Sequence, residues 1–345
     1  MRLTIWLALI VCTIQLGFAC RVDAQPIAHS TVNLDSAAAA GLQFRRLHSL
    51  LVSWRGELVL EKYYNGRKAT SLANIKSASK SVISALIGIA IEQGHIRSVN
   101  ETIGSFFPDL LPGDKNADKR SITIRDLLTM QSGLETTSNR NYGAWVLSRN
   151  WVQHALNRPL VNEPGTRMVY STGNSHLLSA ILTKATGKNT WQFAQDHFAK
   201  PFGFALARWP QDPQGIFFGG NDMLMTPRQM VLFGDIYLRN GKLQDRQIVS
   251  QGWVDESFKP HAQSTRERER QYGYGWWIRE LNGYRTYYAW GYGGQFIFIV
   301  PQLELVVVTT SSSEVSTERR THLRTIYDLV ETLIISPIAS ASAQE

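Results

Sequence analysis

Cysteine is nearly absent from this chain. Its 345 residues hold two, Cys12 and Cys20, both within the first twenty positions. A chain processed beyond them has no disulfide and no cysteine nucleophile. Its stability must then come from a core, which a chain of this length can bury. Histidine is sparse as well. The eight histidines show no His-Glu-x-x-His or comparable ligand spacing, so no metal site is expected. There is no phosphate-binding loop and no dinucleotide fingerprint, so no cofactor is expected either. Basic residues outnumber acidic ones, 36 to 28, but they are scattered rather than gathered with stacking aromatics. That argues against nucleic acid as a partner. The net charge of +8 is read as a contribution to solubility. Past the leader, no stretch reaches the roughly 18 apolar residues that a spanning helix needs, so no stable membrane insertion is expected.

What is present begins with that leader. Arg2 supplies a short positive start, Leu3 to Phe18 is mostly apolar, and Val22-Asp23-Ala24 places small residues where a signal peptidase reads them. Residues 1–24 therefore read as a secretory signal peptide, with the mature chain exported to a periplasm or secreted. Gly17-Phe18-Ala19 is a poor lipobox, which makes lipid attachment at Cys20 the lesser alternative.

Residues 25–40 are polar and Ala-rich and read as a linker; residues 336–345 read as a frayed tail. Between them, Leu50–Trp54 and Glu57–Tyr63 form a hairpin pattern around Arg55-Gly56. Ser77 to Gln93 reads as a helix that is apolar nearly all round, hence central, with Gly94 ending it. Helical stretches are expected at 123–131, 145–155 and 175–186, and at 227–238 with Thr226 as N-cap. Short strands follow at 274–279, 284–290, 296–300 and 305–310, and a helix at 317–335 closes the chain. The predicted fold is α+β. An antiparallel sheet drawn from both chain ends (41–94 and 216–335) is flanked by helices, with a mainly helical region, 95–215, inserted.

Three motifs carry chemistry. Ser77-Ala78-Ser79-Lys80 opens the buried helix, so the two side chains share a face at the positive end of the helix dipole. Burial would depress the lysine pKa and make it usable as a base, without which a serine hydroxyl is a poor nucleophile. A lone S-x-x-K arises by chance, and the bland alternative is a capping serine beside a solvated lysine. Next, Pro164-Gly165-Thr166 leads to Tyr170-Ser171-Thr172 just before a helix. A tyrosine there can carry a proton or can simply be half-buried. Last, Trp290-Gly291-Tyr292-Gly293-Gly294 lies between two strands. Its glycines permit close approach of the backbone to a ligand, or make an ordinary turn.

The order of the three is the informative feature. S-x-x-K on a buried helix, Tyr-Ser-x in a helical middle and a Gly-rich strand near the C-terminus resemble the serine β-lactamase and penicillin-binding-protein superfamily over about residues 40–335. Stretches 122–134, 163–166 and 219–226 resemble the branch that holds class C β-lactamases, family VIII-type esterases and 6-aminohexanoate-dimer hydrolases. The resemblance implies Ser77 as acylated nucleophile, Lys80 as its base or activator and Tyr170 as proton shuttle. It also implies an oxyanion hole from the N–H of Ser77 and one N–H of the Trp290–Gly293 stretch, with Tyr292 as the choice among Trp290, Gly291, Tyr292 and Gly293.

Two departures bear on substrate. Thr172 stands where Tyr-x-Asn has its Asn, and Trp-Gly-Tyr-Gly replaces Lys-Thr-Gly, removing a cation unless Arg279 or Arg285 supplies one. The expected activity is a serine hydrolase acting on a small ester or amide. A β-lactamase or D-Ala-D-Ala peptidase is the alternative, and a non-hydrolytic envelope receptor for β-lactams or acyl peptides is the reading from another class.

Overall fold

The computed structural model describes residues 32–344; the leader, its cleavage site and both cysteines lie outside the described residues. A first helix, α1 (Asp35–Leu42), leads into β1 (Leu47–Trp54) and β2 (Glu57–Tyr63). Their turn puts Arg55 at φ +54° and Gly56 at φ +80°. Two left-handed residues give the turn whose twist suits a hairpin. After the two-residue strand β3 (Ala73–Asn74) comes the central helix α2 (Ser79–Glu92), buried continuously from Ser79 to Ala90. The helical middle includes α3 (Thr172–Thr186). Strand β4 (Leu224–Met225) then pairs with β3, and α4 (Pro227–Leu238) follows. Thr226 accepts the N–H of Gln229 while the Gln229 side chain returns to Thr226, the reciprocal cap its sequence announces.

The C-terminal third supplies β5 (Ala262–Gln263), β6 (Gln271–Tyr272), β7 (Trp277–Leu281), β8 (Tyr284–Gly291), β9 (Gln295–Val300) and β10 (Leu305–Ser311). With β1 and β2 they form one antiparallel sheet in the order β2-β1-β10-β9-β8-β7-β6-β5. The first and last thirds of the chain thus meet at the β1–β10 pair, as expected. Strands β9 and β10 are buried at every position. Their alternate residues serve two cores: Ile297, Ile299, Val306 and Val308 join α2 and α4, while Phe296, Phe298, Leu305 and Val307 join α1 and the closing helix. Burial on both faces is why these strands read as unbroken apolar runs.

Several boundaries differ from expectation. The linker assigned to 25–40 is helical from Asp35, and Ala37 is fully buried. Four consecutive alanines suit a helix and need little space against a sheet. The closing helix, α5 (Arg319–Val330), runs on through one π turn, Glu331–Ile335, into Ser336–Ser342. The assigned tail is therefore ordered, with Ile338 at 0% exposure. The helix expected at 145–155 is two short ones, Tyr142–Val146 and Trp151–Leu156. The strand expected at 274–279 starts at Trp277, because Gly273 and Gly275 fold back on each other. Among the described residues, no helix is long and apolar enough to cross a membrane.

The ordered tail has a measurable consequence. Ile338→Ala should destabilise the protein by about 2–5 kcal/mol, the range for deleting a buried aliphatic side chain. Chemical denaturation of the variant checks this; a frayed tail would leave the midpoint unchanged.

Candidate active site

The site is built around a strained turn. Lys76–Ala78 makes a single 3-10 turn ahead of α2, so Ser77 sits on that turn and not on the α-helix proper. Lys76 enters it at φ +50°, a backbone region unfavourable for a residue with a Cβ. The turn is held from both sides. Lys76 N–H donates to Asn74 Oδ1 (3.0 Å), and Lys76 Nζ pairs with Asp222 Oδ1 (2.8 Å). Ile75 N–H donates to Met223 O (2.9 Å), and Met223 N–H donates to Ser79 Oγ (3.2 Å). The 219–223 loop, continued by the β3–β4 pair, therefore clamps the Ser77 turn.

One turn on, Lys80 is 3% exposed, and its Nζ donates to Ser77 Oγ at 3.0 Å and to the Gly220 carbonyl at 2.5 Å. Burial lowers its pKa from the usual lysine range to about 7, against an opposing pull from Asp222. Tyr170 closes the group. Its ring lies 5.1 Å from Lys80 Nζ, burial raises its hydroxyl to about 12, and a hydrogen bond with Ser77 works the other way. The three side chains singled out in the sequence are thus brought together.

Tyr170 is positioned by hydroxyl groups from a neighbouring loop. Thr136 Oγ1 donates to Tyr170 O (2.7 Å), Thr137 N–H donates to Ser171 Oγ (3.1 Å), and Thr172 N–H donates to Ser138 Oγ (2.9 Å). Thr172, at the position of the missing Asn, is itself engaged with Ser138 Oγ (2.9 Å).

The Gly-rich stretch ends β8 beside the Ser77 turn. A Cβ on Gly291 would lie 2.1 Å from the carbonyl oxygen of Ile75, two residues before Ser77, so only glycine fits. Gly291 is the last residue paired with β9, and Gly294 N–H closes the turn onto Gly291 O (3.3 Å). Tyr292 is therefore the first residue of that turn. Gly293 (φ +94°) completes it. Trp290 belongs to an aromatic group in which Trp277 lies 6.1 Å from it, stacks on Tyr170 at 5.7 Å and meets Tyr272 at 4.7 Å.

The cation considered for this wall is not where the sequence suggested. Arg279 lies over Tyr327 and Arg285 bonds to Gln271. Arg270, 8% exposed, sits instead between Trp277 and Trp290, with its guanidinium 5.4 and 5.2 Å from their rings and paired with Glu267 at 2.7 Å. Sequence reasoning also passed over Gly220, Asp222, Lys76 and Asn74. The 219–226 stretch was noticed only as a resemblance, and no local spacing ties it to a serine about 140 residues earlier. Among the described residues, no cluster of His, Cys, Asp and Glu could hold a metal ion.

Comparison with known proteins follows the same lines. The family model named Beta-lactamase matches residues 39–331. The 6-aminohexanoate-dimer hydrolase of Paenarthrobacter ureafaciens is 23% identical over 284 residues, covering 75% of this chain and 71% of that one. Among solved structures, EstCE1, a hydrolase with promiscuous acyltransferase activity, superposes with a TM-score of 0.66 at 18% identity, covering 85% of this chain and 97% of its own. A beta-lactamase from Mycobacterium bovis gives 0.64 at 17%, covering 90% and 99%. At these identities the structural likenesses establish the fold.

The ionisation of Lys80 generates a pH prediction. If its neutral amine takes the serine proton, kcat/KM should rise with pH through about 7, since deprotonation creates the active form. Asp222 raises the lysine pKa, so Asp222→Asn should move this acidic limb to lower pH. A pH profile of both proteins with a chromogenic ester checks the direction.

Proposed function

Because the chain belongs to the beta-lactamase family, a family of serine hydrolases, we propose that it hydrolyses carboxylic esters or amides through an acyl-enzyme on Ser77. The observation that carries this reading is the 3.0 Å contact between Ser77 Oγ and the amine of a buried Lys80 whose pKa lies near 7. A lysine in the ordinary range is almost wholly charged at neutral pH and has no lone pair to offer. This one is divided between its two forms, so a proton acceptor stands within reach of the hydroxyl.

Acylation then runs in balanced steps. Ser77 Oγ attacks the substrate carbonyl carbon, its proton passes to Lys80 Nζ, and the carbonyl oxygen takes up negative charge facing the N–H groups of Ser77 and Tyr292. Tyr170, held as a neutral phenol by burial, donates its proton to the departing oxygen or nitrogen as the carbon–heteroatom bond breaks, and Lys80 returns a proton to it. Water repeats the sequence on the acyl-enzyme and releases the acid.

The substrate class follows from the wall. Trp290, only partly buried, offers aromatic surface backed by the buried Trp277, and the nearby Arg270 is already paired with Glu267. Neutral, apolar acyl groups suit such a wall, and carboxylate-bearing substrates forgo a charge-assisted hydrogen bond worth roughly 1.5–3 kcal/mol. Support also comes from the likeness to EstCE1 and to the 6-aminohexanoate-dimer hydrolase. Export of the mature chain, read from the leader, is part of the same proposal; mass spectrometry of the secreted or periplasmic protein should find an N-terminus near Gln25.

Two measurements test the chemistry. Ser77→Ala should keep less than about a thousandth of wild-type kcat while folding normally, the scale of loss when a serine nucleophile is removed. A fluorophosphonate should label Ser77 in the wild type. Separately, kcat/KM for p-nitrophenyl butyrate should exceed that for nitrocefin by at least about tenfold; a preference for nitrocefin would overturn the esterase reading in favour of a β-lactamase.

A further inference from the structure

Behind the nucleophile lies a buried polar pair that the chemistry above does not use. The side chains of His176, on α3, and Asp212 are both fully buried, with His176 Nε2 3.0 Å from Asp212 Oδ2. The pair is walled by aromatic rings: Trp145, Trp151 and Phe218 lie 5.8, 5.3 and 6.0 Å from the imidazole. An apolar pair of similar volume would pack there without desolvation of a carboxylate or an imidazole, so the retained polarity asks for a reason.

The hydrogen bonds lead to the catalytic lysine. Gly219 N–H donates to His176 Nδ1 at 3.5 Å. Nδ1 is therefore the acceptor, the ring proton sits on Nε2, and the Asp212 carboxylate receives it. The other carboxylate oxygen accepts the N–H groups of Gln214 (2.8 Å) and Ile216 (2.9 Å), which shapes the loop approaching Gly219. One residue past Gly219, the Gly220 carbonyl receives Lys80 Nζ at 2.5 Å. Both glycines are pressed onto α3. A Cβ on Gly219 would lie 2.1 Å from Ser175 O, and one on Gly220 would lie 2.9 Å from Thr172 O.

We propose that Asp212 and His176 are positioning residues that, through the Gly219 N–H, aim the Gly220 carbonyl and so orient the Lys80 amine toward Ser77. The proposal rests on the assignment of Ser77 and Lys80 as nucleophile and base. Lys80 itself faces Asp222, paired with Lys76, from the 219–223 loop, Tyr170 from the loop before α3, and Ser77 from its own turn. Loss of the carbonyl removes an acceptor that favours the ammonium form, so the acidic limb should move to lower pH while the amine loses its aim.

The test compares His176→Phe, which deletes both hydrogen bonds, with His176→Gln, whose amide can accept from Gly219 and donate to Asp212. Rates are divided by the amount of Ser77 that a fluorophosphonate labels, which removes any effect of a misfolded fraction. His176→Phe should lower kcat per labelled serine about tenfold or more, leave KM for p-nitrophenyl butyrate within about twofold and shift the acidic limb downward; His176→Gln should restore most of both. Wild-type kcat and limb position per labelled site in His176→Phe, or a glutamine variant no better than phenylalanine, overturns the proposal. If His176→Phe does not fold, Asp212→Asn is read by the same criteria. Ser77→Ala run in parallel separates the two levels: retained hydrolysis there overturns the nucleophile assignment and this proposal with it, whereas an inactive Ser77→Ala beside an unaffected His176→Phe overturns the positioning role alone.

Discussion

The buried amine of Lys80 is the constraint on which the rest of the site depends. Moving an ammonium group out of water costs several kcal/mol even after the protein relaxes. The chain meets this with a carbonyl acceptor from Gly220 and a hydroxyl from Ser77, and with a carboxylate, Asp222, that is only partly available. Asp222 already accepts from Lys76 Nζ and from Asn74 Nδ2, each at 2.8 Å. Its attraction for Lys80 is accordingly outweighed by desolvation, and the amine settles near pKa 7. A direct Asp222 pair would favour the charged form of Lys80 and work against the base role proposed for it. Lys76, which resembles a spectator in the sequence, shares with Lys80 the carboxylate that acts on that lysine.

The sheet turns this local balance into a rigid geometry. Ser77 is delivered by a turn whose left-handed Lys76 costs about 1–3 kcal/mol, a strain that persists only where the surroundings over-determine it. The surroundings here are the β3–β4 pair, the hydrogen bonds to Met223 O from Ile75 N–H and from Met223 N–H to Ser79 Oγ, and the end of β8 pressed against Ile75. Strand β8 is held in turn by β9, whose neighbour β10 is buried on both faces. Gln295 adds a lock at the start of β9, with its side-chain amide donating to Ser311 O (2.7 Å) and accepting from Ser311 N–H (3.0 Å). The Gly291–Gly294 turn is thus fixed at its strand ends, so an N–H from it can face a developing oxyanion without reorganising.

What the sequence made legible divides along the range of the interactions. Strands β9 and β10 were readable because burial on both faces writes itself as a run of apolar residues, and α4 because its cap lies within four residues. The pairing of Ser77 with Lys80 was readable because they are three apart on one turn. Tyr170 was readable only through the order of motifs, since the Thr136–Ser138 hydroxyls that set it lie about 34 residues away. Gly220 and Asp222 approach Lys80, and His176 approaches the loop that carries them, from over 90 residues away, and no periodicity encodes such contacts. The misread ends share a different cause. Residues 35–42 and 336–342 are rich in Ala and Ser, so they look like linkers, yet small side chains are what allows a helix to lie flat against a sheet already crowded by Phe296 and Phe298.

Under the proposed function, Arg270 bears on substrate preference without contact to Ser77. A lysine or arginine projecting from the strand beside Ser77 would meet a substrate carboxylate directly. Here the strand position holds Trp290, and the cation behind it is sandwiched by Trp277 and Trp290 while Glu267, on the exposed loop, neutralises it. Guanidinium groups stack on aromatic faces at little cost in hydration, so Arg270 stiffens the wall while adding little net charge to it. The consequence runs back to Tyr170, which stacks on the same Trp277. The wall and the proposed proton donor thus share one ring, Trp277. In the proposed mechanism the aromatic wall and the proton-donating tyrosine are for that reason coupled through Trp277.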